Sequence, residues 1–419
     1  MRRACLLLFL SVSARAWQEP QPALLDRVRQ RMAENLARLP NYTCLETIER
    51  SVRRQVNDKL VFRDRIRLEV GFIESEEMFG WPGASHFEPD FLQRIPSGGA
   101  SGIGSFGGWT HVLFGSSAPG FTYAGECTAD GRRGSRYSFR VPLSSSKYEI
   151  RFASRAVLSA YAGSLCVDPD ALDVMMVDLH AEDVPPAVAP ITGVSDVIHY
   201  ARARIGSAEF LLPQQDDLAI TDAEGNVNRN VTRFTACRQY ASESSLSFAD
   251  DAAAAPVPQK NVQGLKLPEG ITLDLKLETP ITFDDFAVGD PITARLIRAI
   301  EASGVSIPKG ATVSGRIWEL EQYYQPEKYF LVGLDFSSLT FAGGRALFHA
   351  RLVGPRLKVA KRVDASAMGA ETTNTAYTER NGLDIDDAPS RAGAFRVAGG
   401  KLRLSRDVHM ILETQSDNQ

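Results

Sequence analysis

Between Leu60 and Val70 the chain alternates without drift. Leu60, Phe62, Ile66, Leu68 and Val70 share one parity, and Arg63, Arg65, Arg67 and Glu69 share the other. A period of two is the mark of a strand whose successive side chains point to opposite faces. One face must be dry and the other wet or charge-paired. Only Asp64 breaks the dry side. Glu46 falls in the same way on the apolar side of the strand before it. A carboxylate buried at either place needs a partner, most simply an arginine such as Arg238.

Upstream, Leu25, Val28, Met32, Leu36 and Leu39 recur at spacings of three and four. They predict an amphipathic helix that Pro40 stops. Extended chain begins at once, in Leu39-Pro40-Asn41-Tyr42-Thr43-Cys44-Leu45-Glu46-Thr47-Ile48-Glu49-Arg50. Downstream, alternation returns in Phe121–Tyr123, Tyr137–Val141 and Tyr148–Phe152. It returns again over 172–179, 197–205, 209–212 and 231–240, with turn residues at Asp130-Gly131 and Ser144–Ser146. Consecutive short strands with few helices predict an antiparallel meander. The interruption, Phe79 to Gly120, is rich in glycine and aromatics, and a loop that long inside a domain is usually functional. Its part 105–114 predicts a short helix. The segment reads either as a flap over the sheet or as a loop that fills the core.

Residues 249–264, with Asp-Asp, a run of four alanines and two prolines, read as a linker. Strand patterns restart beyond it, around a tight turn at Ile307-Pro308-Lys309-Gly310. Residues 360–394 read as a polar, disordered insertion. A closing hairpin is expected from 395–397 and 402–412.

At 44% hydrophobic and 23% charged, the 419 residues supply ample core for a two-domain chain. A net charge of -4 gives no basic footprint for nucleic acid. Residues 1–16 have the form of a signal peptide: Arg2-Arg3, an apolar run through Leu6–Leu10, and Ala14-Arg15-Ala16 as the cleavage pattern. That run is too short to span a bilayer, and no transmembrane segment is expected after cleavage. The destination is periplasmic or extracellular. Four cysteines then remain, and an oxidising compartment favours disulfides. Cys44 lies on the first strand of the meander and Cys237 on its last. Cys127 and Cys166 lie on elements expected to be neighbours. The order predicts Cys44–Cys237 and Cys127–Cys166.

Catalytic and cofactor signals are weak. Gly102–Gly107 matches G-x-G-x-x-G, but no strand leads into it and no βαβ unit surrounds it. The six histidines show no paired metal spacing. No G-x-S-x-G elbow occurs. Asp384, Asp386 and Asp387 lack the pattern of a calcium loop. No cofactor, metal or catalytic residue is expected.

The Leu39–Arg50 stretch, with Cys237-Arg238-Gln239-Tyr240 near the end of the region, resembles a group of exported proteins of soil Acidobacteria. The helix-then-meander order is similar to the half-barrel of periplasmic lipoprotein carriers and outer-membrane lipoprotein receptors. Beyond the linker, Leu277-Glu278-Thr279-Pro280-Ile281, Val288-Gly289-Asp290, Ile307–Ala311 and Gly315-Arg316 resemble the C-terminal β-barrel of TrbI-type conjugation and type IV secretion proteins. The apolar helices that cross the membrane in such a barrel are missing here.

The fold class is therefore mainly β. Residues 17–248 form a helix plus a curved antiparallel half-barrel. Residues 265–419 form a small β-barrel. The function expected is a non-catalytic envelope protein that binds a hydrophobic or lipid-like ligand in the concave sheet. Phe62, Trp81, Phe106, Trp109 and Phe114 are the candidate ligand-binding side chains, with the barrel as a docking module for an envelope partner. The alternatives are a structural or assembly component of an envelope complex and, third, a hydrolase.

Overall fold

The computed structural model describes residues 21–240, 262–356 and 394–416. Short gaps fall at 55–57, 74–75, 85, 90, 96–101, 103, 116–117, 153–154, 185–190, 325–327 and 407. The expected signal peptide (1–16), the expected linker up to residue 261 and nearly all of the expected polar insertion lie outside the described residues.

The first half opens with α1 (Gln21–Arg38). Twelve strands follow: β1 (Tyr42–Arg53), β2 (Val61–Ile73), β3 (Glu76–Gly80), β4 (Thr122–Ala129), β5 (Arg132–Val141), β6 (Glu149–Phe152), β7 (Arg155–Leu158), β8 (Ala160–Val167), β9 (Val174–Glu182), β10 (Ile191–Ile205), β11 (Ala208–Asp222) and β12 (Val227–Gln239). Between β3 and β4 lie a 3-10 turn at Phe91–Arg94 and the seven-residue α2 (Gly108–Phe114).

The sheet runs β3–β2–β1–β12–β11–β10–β9–β8–β5–β4, with every pair antiparallel. Neighbours in space are neighbours in sequence except at two places. The β6–β7 hairpin stands outside the sheet between β5 and β8. At the other, the first strand meets the last, Tyr42 opposite Gln239 and Arg53 opposite Val227.

Both predicted disulfides are present. Cys44 and Cys237 lie across the β1/β12 seam at a bulge, with α-carbons 4.0 Å apart. Cys127 of β4 reaches Cys166 of β8 over the intervening β5, at 5.9 Å. Gly134 of β5 stands opposite Cys127, where a Cβ would run into the Val167 carbonyl oxygen.

Helix α1 lies on the sheet because its apolar stripe fits there. Leu24, Leu25, Val28 and Met32 are buried against α2 and the β5–β8–β9–β10 region. Asn35 fixes its position by exchanging hydrogen bonds with the backbone of Leu211, N–H to Oδ1 at 2.9 Å and Nδ2 to the carbonyl at 3.0 Å.

The second half holds β13 (Val262–Lys266), β14 (Thr272–Leu277), β15 (Ile281–Thr282), β16 (Pro291–Leu296), β17 (Ile300–Ala302), β18 (Val305–Ile307), β19 (Thr312–Tyr323), β20 (Tyr329–Phe341), β21 (Gly344–Leu347), β22 (His349–Arg356), β23 (Ala394–Ala398), β24 (Arg403–Leu404) and β25 (His409–Gln415). β13 begins inside the range assigned to the linker. Pairings run β14–β16–β19–β20–β21, continue past Phe348 into β22, then pass through β25 back to β14. Leu273, Leu275, Val313, Leu334 and Met410 on these strands are all buried. The expected closing hairpin does not form. β23 pairs with the 329–333 stretch of β20, an edge that β21 leaves open, and β25 pairs with β14 and β22.

The halves touch along β2. Its 69–73 edge takes β3. Its earlier edge takes the second half: Asp64 stands opposite Glu321, and Ile66 bridges Val288. The amide of Arg67 donates to the Val288 carbonyl at 2.8 Å. One buried cluster joins Ile66, Leu68 and Val70 to Leu273, Val288, Leu320 and Phe330. Two separate strand sets thus share a core.

Candidate functional site

The concave face of the first half is covered by the segment 104–115, which includes α2. Glu77 of β3 holds this segment. Its Oε2 accepts the amide of Gly104 and its Oε1 those of Gly107 and Gly108, each at 2.8 Å. Gly107 is closely approached: a Cβ there would sit 2.6 Å from the Phe72 ring. Gly104 has φ +114, in the region that glycine enters freely.

Three of the five predicted ligand-binding side chains come together here. Phe106 lies between Tyr42 and Phe234, with ring centroids at 4.8 and 5.1 Å. Trp109 lies edge-on to Tyr148 and Tyr161, both at 5.2 Å. Phe114 stacks near Phe121. All three are buried. Phe62 and Trp81 are elsewhere, toward the second half. Phe62 meets Phe283 edge-on at 5.6 Å. Trp81 meets Phe91 at 5.0 Å and covers Gly289, where a Cβ would be 2.8 Å from the indole. Phe62 and Trp81 are half-buried there.

Beneath the segment lies a set of acids. Glu46 of β1 stands opposite Phe234. Asp196 of β10 and Asp216 of β11 are diagonal neighbours on the same face, since Ile198 is opposite Asp216 and Asp196 opposite Leu218. Burial raises the carboxyl of Glu46 to about 8, with the charge of Glu77 adding to it. Burial also raises Glu77, against the pull of its backbone donors. It raises Asp196, and drives Asp216 well above the carboxylate range together with the charge of Asp196. Two carboxyls this close share a proton. Tyr200 from β10 bonds Thr110 of α2 through its hydroxyl, at 2.9 Å.

A second buried network lies at the junction of the halves. Arg50 grips Asp64 with two bonds, 2.6 and 2.5 Å. Arg63 binds both oxygens of Glu321, at 3.0 and 3.2 Å, and the Tyr323 hydroxyl donates to the same carboxylate. Asp64 has an arginine partner as expected, but it is Arg50 and not Arg238. Arg238 instead pairs with Glu69, which also accepts from Thr43 and from the amide of Gly83. Glu46 Oε2 is buried with no hydrogen-bond partner.

Glu77, Asp196 and Asp216 were not legible as site residues. Glu77 lies on a strand hidden at the start of the glycine-rich stretch. Around Asp216 the inward parity changes, because the β10–β11 register shifts between His199 and Tyr200. A steady alternation would have exposed Asp216 as an acid on an apolar row.

These features define a class: a curved antiparallel sheet with α1 and a glycine-rich segment packed together on one face, the segment lying over buried acids. No family model matches the chain, and no curated protein matches it. Two solved structures are similar. One is a DUF1329 family protein from Desulfovibrio piger, 12% identical, covering 56% of this chain and 96% of that one, with a TM-score of 0.29. The other is a putative outer membrane lipoprotein-sorting protein domain from Vibrio parahaemolyticus, 9% identical, covering 50% and 90%, with a TM-score of 0.27.

Proposed function

We propose that the chain is an exported, non-catalytic envelope protein. Its first half carries an apolar, lipid-like ligand on the concave sheet, and residues 104–115 act as the flap. The observation that supports this is the way the concave face is closed. Trp109 and Phe114 fill it from a seven-residue helix, and Phe106 from the glycine-rich lead before that helix. Each large aromatic withdraws on the order of 150–250 Å² from water. An acyl chain has the same chemistry and would take their place when the flap lifts. Two disulfides fit an oxidising, extracytoplasmic compartment. The second half, anchored along β2, serves as the docking module for an envelope partner.

The filled state of the concave face favours one other reading, a structural or assembly component in which the flap is permanent core. Mass spectrometry of lipid co-purified with the exported protein separates the two. The carrier reading expects a bound lipid at near-stoichiometric level. Protein free of lipid after gentle extraction from its own envelope speaks for the assembly reading.

A further inference from the structure

We propose that residues 104–115 form a proton-linked lid, closed while the acids beneath it are protonated and lifting as rising pH ionises them. This rests on the flap reading above and adds what controls the flap. The segment meets those acids directly. The Ser105 hydroxyl bonds Asp216. Phe106 packs on Phe234, the residue opposite Glu46 in the β1/β12 ladder. The carbonyl of Phe106 also accepts the Tyr42 hydroxyl, at 3.3 Å. Asp196 and Asp216 are diagonal neighbours on β10 and β11, whereas Glu46 lies apart on β1. One cover thus closes over two separate places.

Glu46 Oε2, Asp196 Oδ1 and Asp216 Oδ1 are each buried without a hydrogen-bond partner. A carboxylate buried without donors is costly, so such a group keeps its proton instead. When the cover lifts, water reaches the carboxyls, and a solvated carboxyl ionises near neutral pH. Lifting therefore releases protons, and by linkage a rising pH favours the lifted form. The electrostatics have the same sign, since burial is the first cause that raises Glu46, Asp196 and Asp216.

The groups facing these acids do not reverse that sign. Glu77 of β3 acts on Glu46, and Tyr42 of β1 stands by Glu77. Burial raises Glu77 too, so its titration runs the same way. Tyr148 and Tyr200 stand beside the aspartates. Asp217 of β11 acts on Asp196 and is itself held by Arg229 of β12. Arg50, further along β1, is engaged by Asp64 of β2. His111 of the segment stacks on Phe72 and bonds the Gly107 carbonyl.

The test is amide hydrogen exchange of residues 104–115 in the full-length protein, from about pH 6 to about pH 9. Rates are corrected for the intrinsic pH dependence of exchange and read against β1, β10 and β11. One proton released on lifting raises the opening constant about tenfold per pH unit, until the covered acids themselves ionise. Protection of the segment should therefore fall on the order of tenfold or more across the range. E46Q/D216N should lose most of that fall. E46Q and D216N singly should each reduce it, which decides the matter if the double variant does not fold. Protection that stays level or rises with pH in wild type overturns the inference. So does a fall in folded E46Q/D216N equal to that of wild type. Calorimetry with dodecanol at both ends of the range tests the carrier reading separately. Dodecanol binding with level protection removes the proton control and leaves the carrier reading intact. No binding at either end, with the segment as protected as the strands throughout, removes both.

Discussion

Arg67 of β2 places one guanidinium nitrogen on both carboxylate oxygens of Asp290, at 2.6 and 2.5 Å, across the junction between the two halves. Arg63 and Arg65 act in the same way. Arg63 reaches Glu321, and Arg65 reaches the Asp284 carbonyl as well as Glu49. The charged row of β2 is therefore a docking edge. Asp290 also accepts the amide of Ala287 and so shapes the turn that Val288 and Gly289 present to β2.

Removing one partner of a largely buried pair leaves the other charge stranded. D290A should lower stability by about 3 kcal/mol in urea unfolding. Because the core crosses the junction, wild type should unfold in one transition. Two separate transitions in wild type would show that the shared core does not couple the halves.

Glu46 sets a pH dependence of opposite sign to that of a salt-bridged acid. Its folded carboxyl is raised from 4.5 to about 8 by burial and by Glu77. The folded state therefore holds a proton that the unfolded chain loses first. Stability is fully present below about pH 4.5 and falls as pH rises toward 8. E46Q should flatten the denaturant midpoint across that window. An unchanged slope in E46Q would assign the dependence to other groups.

The seam between first and last strands is tied by Cys44–Cys237, a separation of 193 residues. In the chain-entropy model such a closure contributes about 5 kcal/mol, and the Cys127–Cys166 closure about 4 kcal/mol. C44S/C237S should accordingly lower the melting temperature more than C127S/C166S. The reverse order would mean that the β1/β12 ladder holds the seam without its covalent bond.

Much of this fold could be read before the structure, because alternation is a local signal. The helix stopped by Pro40, the short helix near 105–114 and the strand after Leu39 all follow from spacing. The disulfides followed from strand order. Alternation could not tell a solvated row from a docked one, so the role of Arg63, Arg65 and Arg67 was hidden. It also could not follow the parity change near Asp216, or place β23 beside β20 rather than in a hairpin. Of the candidate site, the aromatics Phe106, Trp109 and Phe114 were visible by composition. Of the acids beneath them, Glu46 was visible as a carboxylate on an apolar row, whereas Asp196 and Asp216 were not, because the register of β10 and β11 shifts between them and the turn.

Gly107 is a precise point at which to loosen the flap. A Cβ there meets the Phe72 ring at 2.6 Å, so G107A must displace either the ring or the segment. The variant should bind an apolar dye faster than wild type at a modest cost in melting temperature. W109A, in contrast, should cost on the order of 3–5 kcal/mol, as truncation of a buried aromatic does. Dye uptake by G107A no faster than wild type would show that the segment does not gate the face.

The most direct measurement is amide hydrogen exchange of residues 104–115, with and without a bound twelve-carbon ligand. If the segment is a flap, its amides exchange well before those of β1, β10 and β11 in the free protein. Ligand then speeds those of Gly104, Gly107 and Gly108 by releasing them from Glu77. Protection equal to that of the surrounding strands, unmoved by any apolar ligand, would contradict the account and make the segment permanent core.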